Sequence, residues 1–161
     1  MGPYEGRLRE MILQMKAWTA EDLAEVVAGL WAKQIGPRVA AWQPDLIVPI
    51  PLHWMRRWQR GFNASDLLAA ALAAETRVPW TSYLLRRVRR TPLQTEQPSP
   101  TARKENVKDA FQAKDASRIS GKTIVIVDDV MTTGATVHEA ARAMRVHKPK
   151  AIYAAVLARA H

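Results

Sequence analysis

At 161 residues, with 48% hydrophobic and 24% charged side chains, the chain has the size and composition of one globular domain with a real core. It has no cysteine, which excludes disulfides and thiolate metal sites, and no apolar run near the roughly 20 residues that a bilayer span needs. No signal peptide is visible, so the cytoplasm is the expected compartment, and a formal charge of +9 is compatible with either a merely basic surface or a polyanionic partner.

In chain order, residues 5–17 place Leu8, Ile12 and Met15 at helical spacing and predict an amphipathic helix. Thr19 with Asp22 resembles a capping box opening a second helix, which passes Trp31 and is expected to stop at Gly36-Pro37. LIVPI, residues 46–50, reads as a short buried strand whose ladder Pro49 and Pro51 end, because proline has no N–H to donate. FNASDLLAAALAAE is a helix with Asn63 or Ser65 near its cap, and SYLLRRV is a strand. Residues 89–106 hold Pro92, Pro98 and Pro100 without periodicity and read as a long loop, the kind that is usually functional. GKTIVIVDD is a strand, ATVHEAARAMRVH a helix and AIYAAVLAR a final strand. This alternation argues for an α/β fold, a mainly parallel sheet covered on both faces, formed by one domain over 1–161 with N-terminal helices in 1–36 and a core in 45–161.

The stretch TIVIVDDVMTTGATV carries the chemistry. Asp128 and Asp129 stand where a buried strand ends, the position at which open α/β sheets bind ligands. Backbone N–H groups of a Thr/Gly turn entering a helix make an anion site, with Thr132, Thr133 and Thr136 adding hydroxyls and Gly134 allowing close approach. Carboxylates accept hydrogen bonds from vicinal hydroxyls, so acids beside a phosphate cradle suggest a sugar phosphate. The four histidines show no zinc-ligand spacing, and neither G-x-x-x-x-G-K-[ST] nor G-x-G-x-x-G occurs. HWMRRWQRGF interleaves Arg56, Arg57 and Arg60 with Trp54, Trp58 and Phe62, a pattern that fits single-stranded DNA binding or, alternatively, tryptophans packed into the core.

IVIVDDVMTTGATV resembles the phosphoribosyl-pyrophosphate (PRPP) signature of type I phosphoribosyltransferases. VPIPLHWMRRWQRGFNASDLLA and RTPLQTEQPSPTARKENVKDAF are similar to segments of the ComF competence-protein family, also called the GntX group, as is YEGRLREMILQMK. Two departures stand out: that family commonly begins with a four-cysteine zinc ribbon, and Ala64 occupies a position where glutamine is usual. The resemblance implies the type I phosphoribosyltransferase fold with a flexible lid at about 89–106. It implies ribose hydroxyls on Asp128 and Asp129, which would also be the Mg2+ ligands. The 5′-phosphate would lie on Met131, Thr132, Thr133, Gly134, Ala135 and Thr136, and the pyrophosphate near Pro51, Leu52, His53, Arg60 and Gly61. Arg90 would join the two aspartates in catalysis, with Gln94, Arg103 and Asn106 as lid contacts. Two functions follow from it: a PRPP-binding protein of single-stranded DNA uptake or utilisation, with competence or replication-restart proteins as partners, or an active transferase delivering phosphoribosyl to a nucleobase or amine.

Overall fold

The computed structural model describes residues 2–15, 20–52, 61–89 and 107–160. The elements are β1 (Gly2–Pro3), α1 (Gly6–Met15), α2 (Glu21–Ala40), β2 (Leu46–Pro49), α3 (Ala64–Thr76), β3 (Leu85–Arg87), β4 (Phe111–Ala113), a 3-10 turn (Ala116–Arg118), β5 (Thr123–Met131), α4 (Ala135–Arg145) and β6 (Ala151–Arg159). Four strands form an all-parallel sheet in the order β1-β6-β5-β2, which is the α/β architecture expected from the alternation.

β5 is the spine of that sheet. Its residues 123–128 are all buried, because helices cover both faces and β-branched side chains pack well on a pleated surface. Alternation then splits the core. Ile47, Val125, Val127, Ala155 and Leu157 pack with α1, α2 and α3, whereas Leu46, Val48, Ile124 and Ile126 meet Ala140, Ala141 and Met144 of α4. Trp31 of α2 also donates its indole N–H to the Val156 carbonyl at 3.2 Å, tying that helix to β6.

Three expectations are corrected. First, α2 does not stop at Gly36-Pro37 but continues to Ala40. The clash that normally expels the residue before proline from helical geometry falls partly on its Cβ, which Gly36 lacks. A Cβ there would also lie 2.7 Å from Glu75 Cγ, so the glycine lets α2 and α3 approach closely. Second, the helix begins at an Ala20 N-cap with no side-chain cap bond, while Glu21 and Asp22 supply acids to its first turn. Thr19 lies outside the described residues. Third, the strand read at SYLLRRV is only Leu85–Arg87, and it pairs antiparallel with β4 in a separate two-stranded sheet. Among the described residues no helix is long and apolar enough to cross a membrane.

Asp45, just before β2, accepts from the Thr123 N–H at 2.8 Å and lies 3.4 Å from the Lys122 ammonium. The Thr123 N–H, and after it Lys122, hold this carboxyl below its ordinary value of 3.8. A depressed carboxylate stabilises the fold above its unfolded pKa, and that contribution fades as pH falls through the folded value. The stability difference between the wild type and Asp45→Asn is therefore expected at neutral pH and should vanish in acid below that ordinary value. Chemical denaturation across pH checks this; a difference that persists unchanged in strong acid would contradict it.

Candidate functional site

The site is assembled where β2 and β5, adjacent and parallel, reach their carboxyl ends. The Ile50 N–H donates to the Val127 carbonyl at 2.8 Å, so the chain leaving β2 stays beside β5 up to the first aspartate. Asn63 then ties the next helix to this point. Its amide donates to the Ile50 carbonyl at 3.1 Å and to Asp66 at 2.9 Å, while its side-chain oxygen caps α3 through the Ser65 N–H. Of the two cap candidates, Asn63 holds the N-cap position.

Ser65 does something else. Its hydroxyl donates to Asp128 Oδ1 at 3.2 Å, and that oxygen also accepts from the Asp129 N–H at 3.0 Å. The buried Asp128 carboxylate is thus oriented by two donors. Asp129, half-buried, accepts from the Val130 N–H at 2.7 Å. A carboxylate whose geometry is fixed in the free protein loses little freedom when a ligand hydroxyl arrives.

The turn that follows is shaped by Gly134, which caps α4 with φ +74°, a left-handed conformation costly for residues with a Cβ. The Ala135 N–H donates to Thr133 Oγ1 at 3.4 Å, and the first helical bond runs from the His138 N–H to the Gly134 carbonyl. Asp128, Met131, Thr132, Gly134, Ala135 and Thr136 line one shallow depression, so the structure brings these sequence candidates together at the positive end of a helix. Thr133 faces the neighbouring space, a cavity of about 570 Å³ that Gly134 and Ala135 share with Val107, Lys108, His138, Glu139 and Arg142. That volume is within the range of small-molecule sites.

One wall of this cavity is pinned by charge. Arg142 pairs with Glu139 at 2.9 Å and with Asp109, whose N–H donates to Glu139 at 3.2 Å. Hydrogen bonds donated to Glu139, and then to Asp109, hold the guanidinium above its ordinary pKa, so it stays charged. Segment 107–110 is thereby fastened to α4 next to the Gly134 turn. Neither Glu139 nor Arg142 was singled out by the sequence, where both look like ordinary surface residues of an amphipathic helix.

Pro51 and Leu52 follow β2 and are half-buried; Gly61 is exposed with φ +78°. His53, Trp54, Arg56, Arg57, Trp58, Arg60, Arg90, Gln94, Arg103 and Asn106 lie outside the described residues. The described residues contain no group of three or more His, Cys, Asp or Glu able to hold a metal ion. Two adjacent carboxylates are nonetheless hard oxygen donors, and that set fits Mg2+ bound jointly with substrate phosphates rather than in an all-protein cage.

A family model described as "phosphoribosyl transferase domain" matches residues 20–161. The chain is 39% identical over 142 residues to the DNA utilization protein YhgH of Salmonella typhimurium, covering 86% of this chain and 61% of that protein. It is 35% identical over 103 residues to competence protein F of Haemophilus influenzae, covering 63% and 44%. The chain thus spans about three fifths or less of the length of these curated relatives. Among solved structures it resembles the glutamine PRPP amidotransferase of B. subtilis with a TM-score of 0.60 at 18% identity, over 91% of this chain and 30% of that one, a likeness of fold.

Proposed function

The chain belongs to the phosphoribosyl transferase domain family, and on that premise we propose that the turn after β5 binds PRPP or a related ribose 5-phosphate in a protein of DNA utilisation. The observation that carries this reading is the buried, doubly oriented Asp128 beside Asp129, leading directly into the Gly134-capped helix. The carboxylates accept the ribose hydroxyls, and the amides and hydroxyls of the turn hold the 5′-phosphate. Relatives similar to this chain over 142 and 103 residues are named for DNA utilisation and competence, which supports reading the chain as part of a protein that handles DNA.

The residues also suit chemistry at the sugar. Loss of pyrophosphate from C1 builds positive charge on the ribose ring, and two fixed carboxylates nearby stabilise that charge with no reorganisation. Asp128 and Asp129 would hold Mg2+, which when bound neutralises charge on a pyrophosphate leaving group. Ser65 and the Asp129 N–H orient Asp128 for this role.

Calorimetric titration of PRPP tests the reading. Saturable binding that tightens on adding Mg2+ is expected, with ribose 5-phosphate competing for the same site. No binding of either ligand with or without Mg2+ would overturn it.

A further inference from the structure

We propose that the segment leading into β3, together with the outward face of the antiparallel β3–β4 pair, is a binding surface for single-stranded nucleic acid, with Tyr83 as its stacking platform and Arg86 as its phosphate contact. The choice of nucleic acid as partner rests on the DNA-utilisation reading; the surface itself is read from exposure, charge and strand register.

The segment is unusual in three ways. Between Glu75 and Glu96 the sequence contains no aspartate or glutamate, while the described part of this stretch holds Arg77, Arg86, Arg87 and Arg89. It also exposes large rings: Tyr83 is 83% exposed and Trp80 38%. Tyr153, 38% exposed, already stacks on Trp42 with centroids 4.7 Å apart, whereas Tyr83 has no aromatic neighbour among the described residues. Finally, the segment is held in place. The Ile47 N–H donates to the Pro79 carbonyl at 2.9 Å and the Thr81 N–H to the Ile47 carbonyl at 3.1 Å, so Trp80 is anchored along the edge of β2. The Tyr83 N–H donates to Thr81 Oγ1 at 3.3 Å, and the Lys114 N–H to the Leu84 carbonyl at 2.8 Å.

Register sets which charges share a face. Leu85 and Phe111 are buried, and Arg87 lies over the Phe111 ring at 5.4 Å, so these residues point inward. Arg86 and its partner Gln112 point the opposite way, and both are exposed. Lys114, just past the end of β4, is also exposed, and its N–H bond to the Leu84 carbonyl sets it next to the residue that follows Tyr83. Of the acids nearest β4 in sequence, Asp109 pairs with Arg142, and Asp115 is held locally by the Ser117 hydroxyl. Exposed rings beside arginines, in a stretch of sequence from 76 to 95 that has no carboxylate, match the stacking-plus-phosphate pattern of single-strand binding. A duplex offers no unstacked base to Tyr83, and an anionic bilayer would use the cations without needing the ring.

The test is fluorescence anisotropy of labelled oligo(dT) with the wild type, Tyr83→Ala and Arg86→Ala, each at several salt concentrations. Because Tyr83 is so exposed, its variant should melt at the wild-type temperature and retain PRPP binding. Loss of one stacking ring is expected to weaken oligo(dT) binding by roughly 5- to 150-fold. Arg86→Ala should flatten the dependence of log affinity on log salt by about 0.7. If the wild type binds oligo(dT) but both variants bind equally well, this surface is overturned while the DNA reading stands. If the wild type does not bind at all at low salt, both fail. If the corresponding duplex, or vesicles of phosphatidylglycerol, bind as tightly and lose as much in the variants, the single-strand assignment is overturned in favour of a general anionic contact.

Discussion

Replacing Trp31 with alanine is expected to destabilise the fold by about 3–5 kcal/mol, the usual cost of truncating a large buried aromatic. Trp31 is 3% exposed, belongs to the core between α1–α3 and the sheet, and donates its N–H to the Val156 carbonyl. Removing it leaves a cavity and takes a partner from a buried acceptor, and the two losses act together. For a domain of this size the melting temperature should fall by roughly 6–20 °C. Trp31→Phe keeps most of the apolar volume and should lose distinctly less. Leu30→Ala, one residue away on the exposed face at 66% exposure, should stay within about 0.5 kcal/mol of the wild type. Thermal unfolding of the three variants checks the ordering; equal losses at Trp31 and Leu30 would mean that α2 is packed the other way round.

The site was legible where its signal was local. A run of β-branched residues from Thr123 to Val127, two acids and a Thr/Gly turn are adjacent in the chain, and the strand and the helix start follow from residue chemistry alone. The strand's end does not, since β5 runs on past both aspartates to Met131 rather than ending at them. What joins the site across the fold was not. Ser65 meets Asp128 across 63 residues of sequence, and no periodicity announces such a pair. The Asp109–Glu139–Arg142 network is hidden for the same reason. Short elements also escaped: β1 has two residues and β4 three, too few to show a period of two. Gly36-Pro37 misled because the usual stop signal depends on a Cβ that glycine does not have. The antiparallel pairing of β3 with β4 was not legible either, because the apolar strand character of SYLLRRV does not specify a partner.

The largest functional effect is expected from the paired variant Asp128→Asn, Asp129→Asn. Each neutral amide keeps one acceptor oxygen, so the bonds from Ser65 and from the Asp129 and Val130 N–H groups can persist and the fold should survive. What disappears is the charge that strengthens the bonds from ligand hydroxyls. Hydrogen bonds to charged groups are worth about 1.5–3 kcal/mol, so loss of that class of interaction should weaken PRPP binding by about 10- to 150-fold. The help given by Mg2+ should disappear as well. Phosphate recognition by the turn should remain, because it depends on backbone amides and hydroxyls that the two substitutions leave untouched.

Amide-resolved NMR of the isotopically labelled protein, titrated with PRPP and Mg2+, tests this most directly. In the wild type, saturable shifts should centre on residues 128–137, with Ser65 among those that respond. In the paired variant, the same turn amides should still shift but only at much higher ligand concentration. Shifts that leave 128–137 unmoved in the wild type, or titration curves that coincide for the two proteins, would contradict a sugar-phosphate site built on these two aspartates.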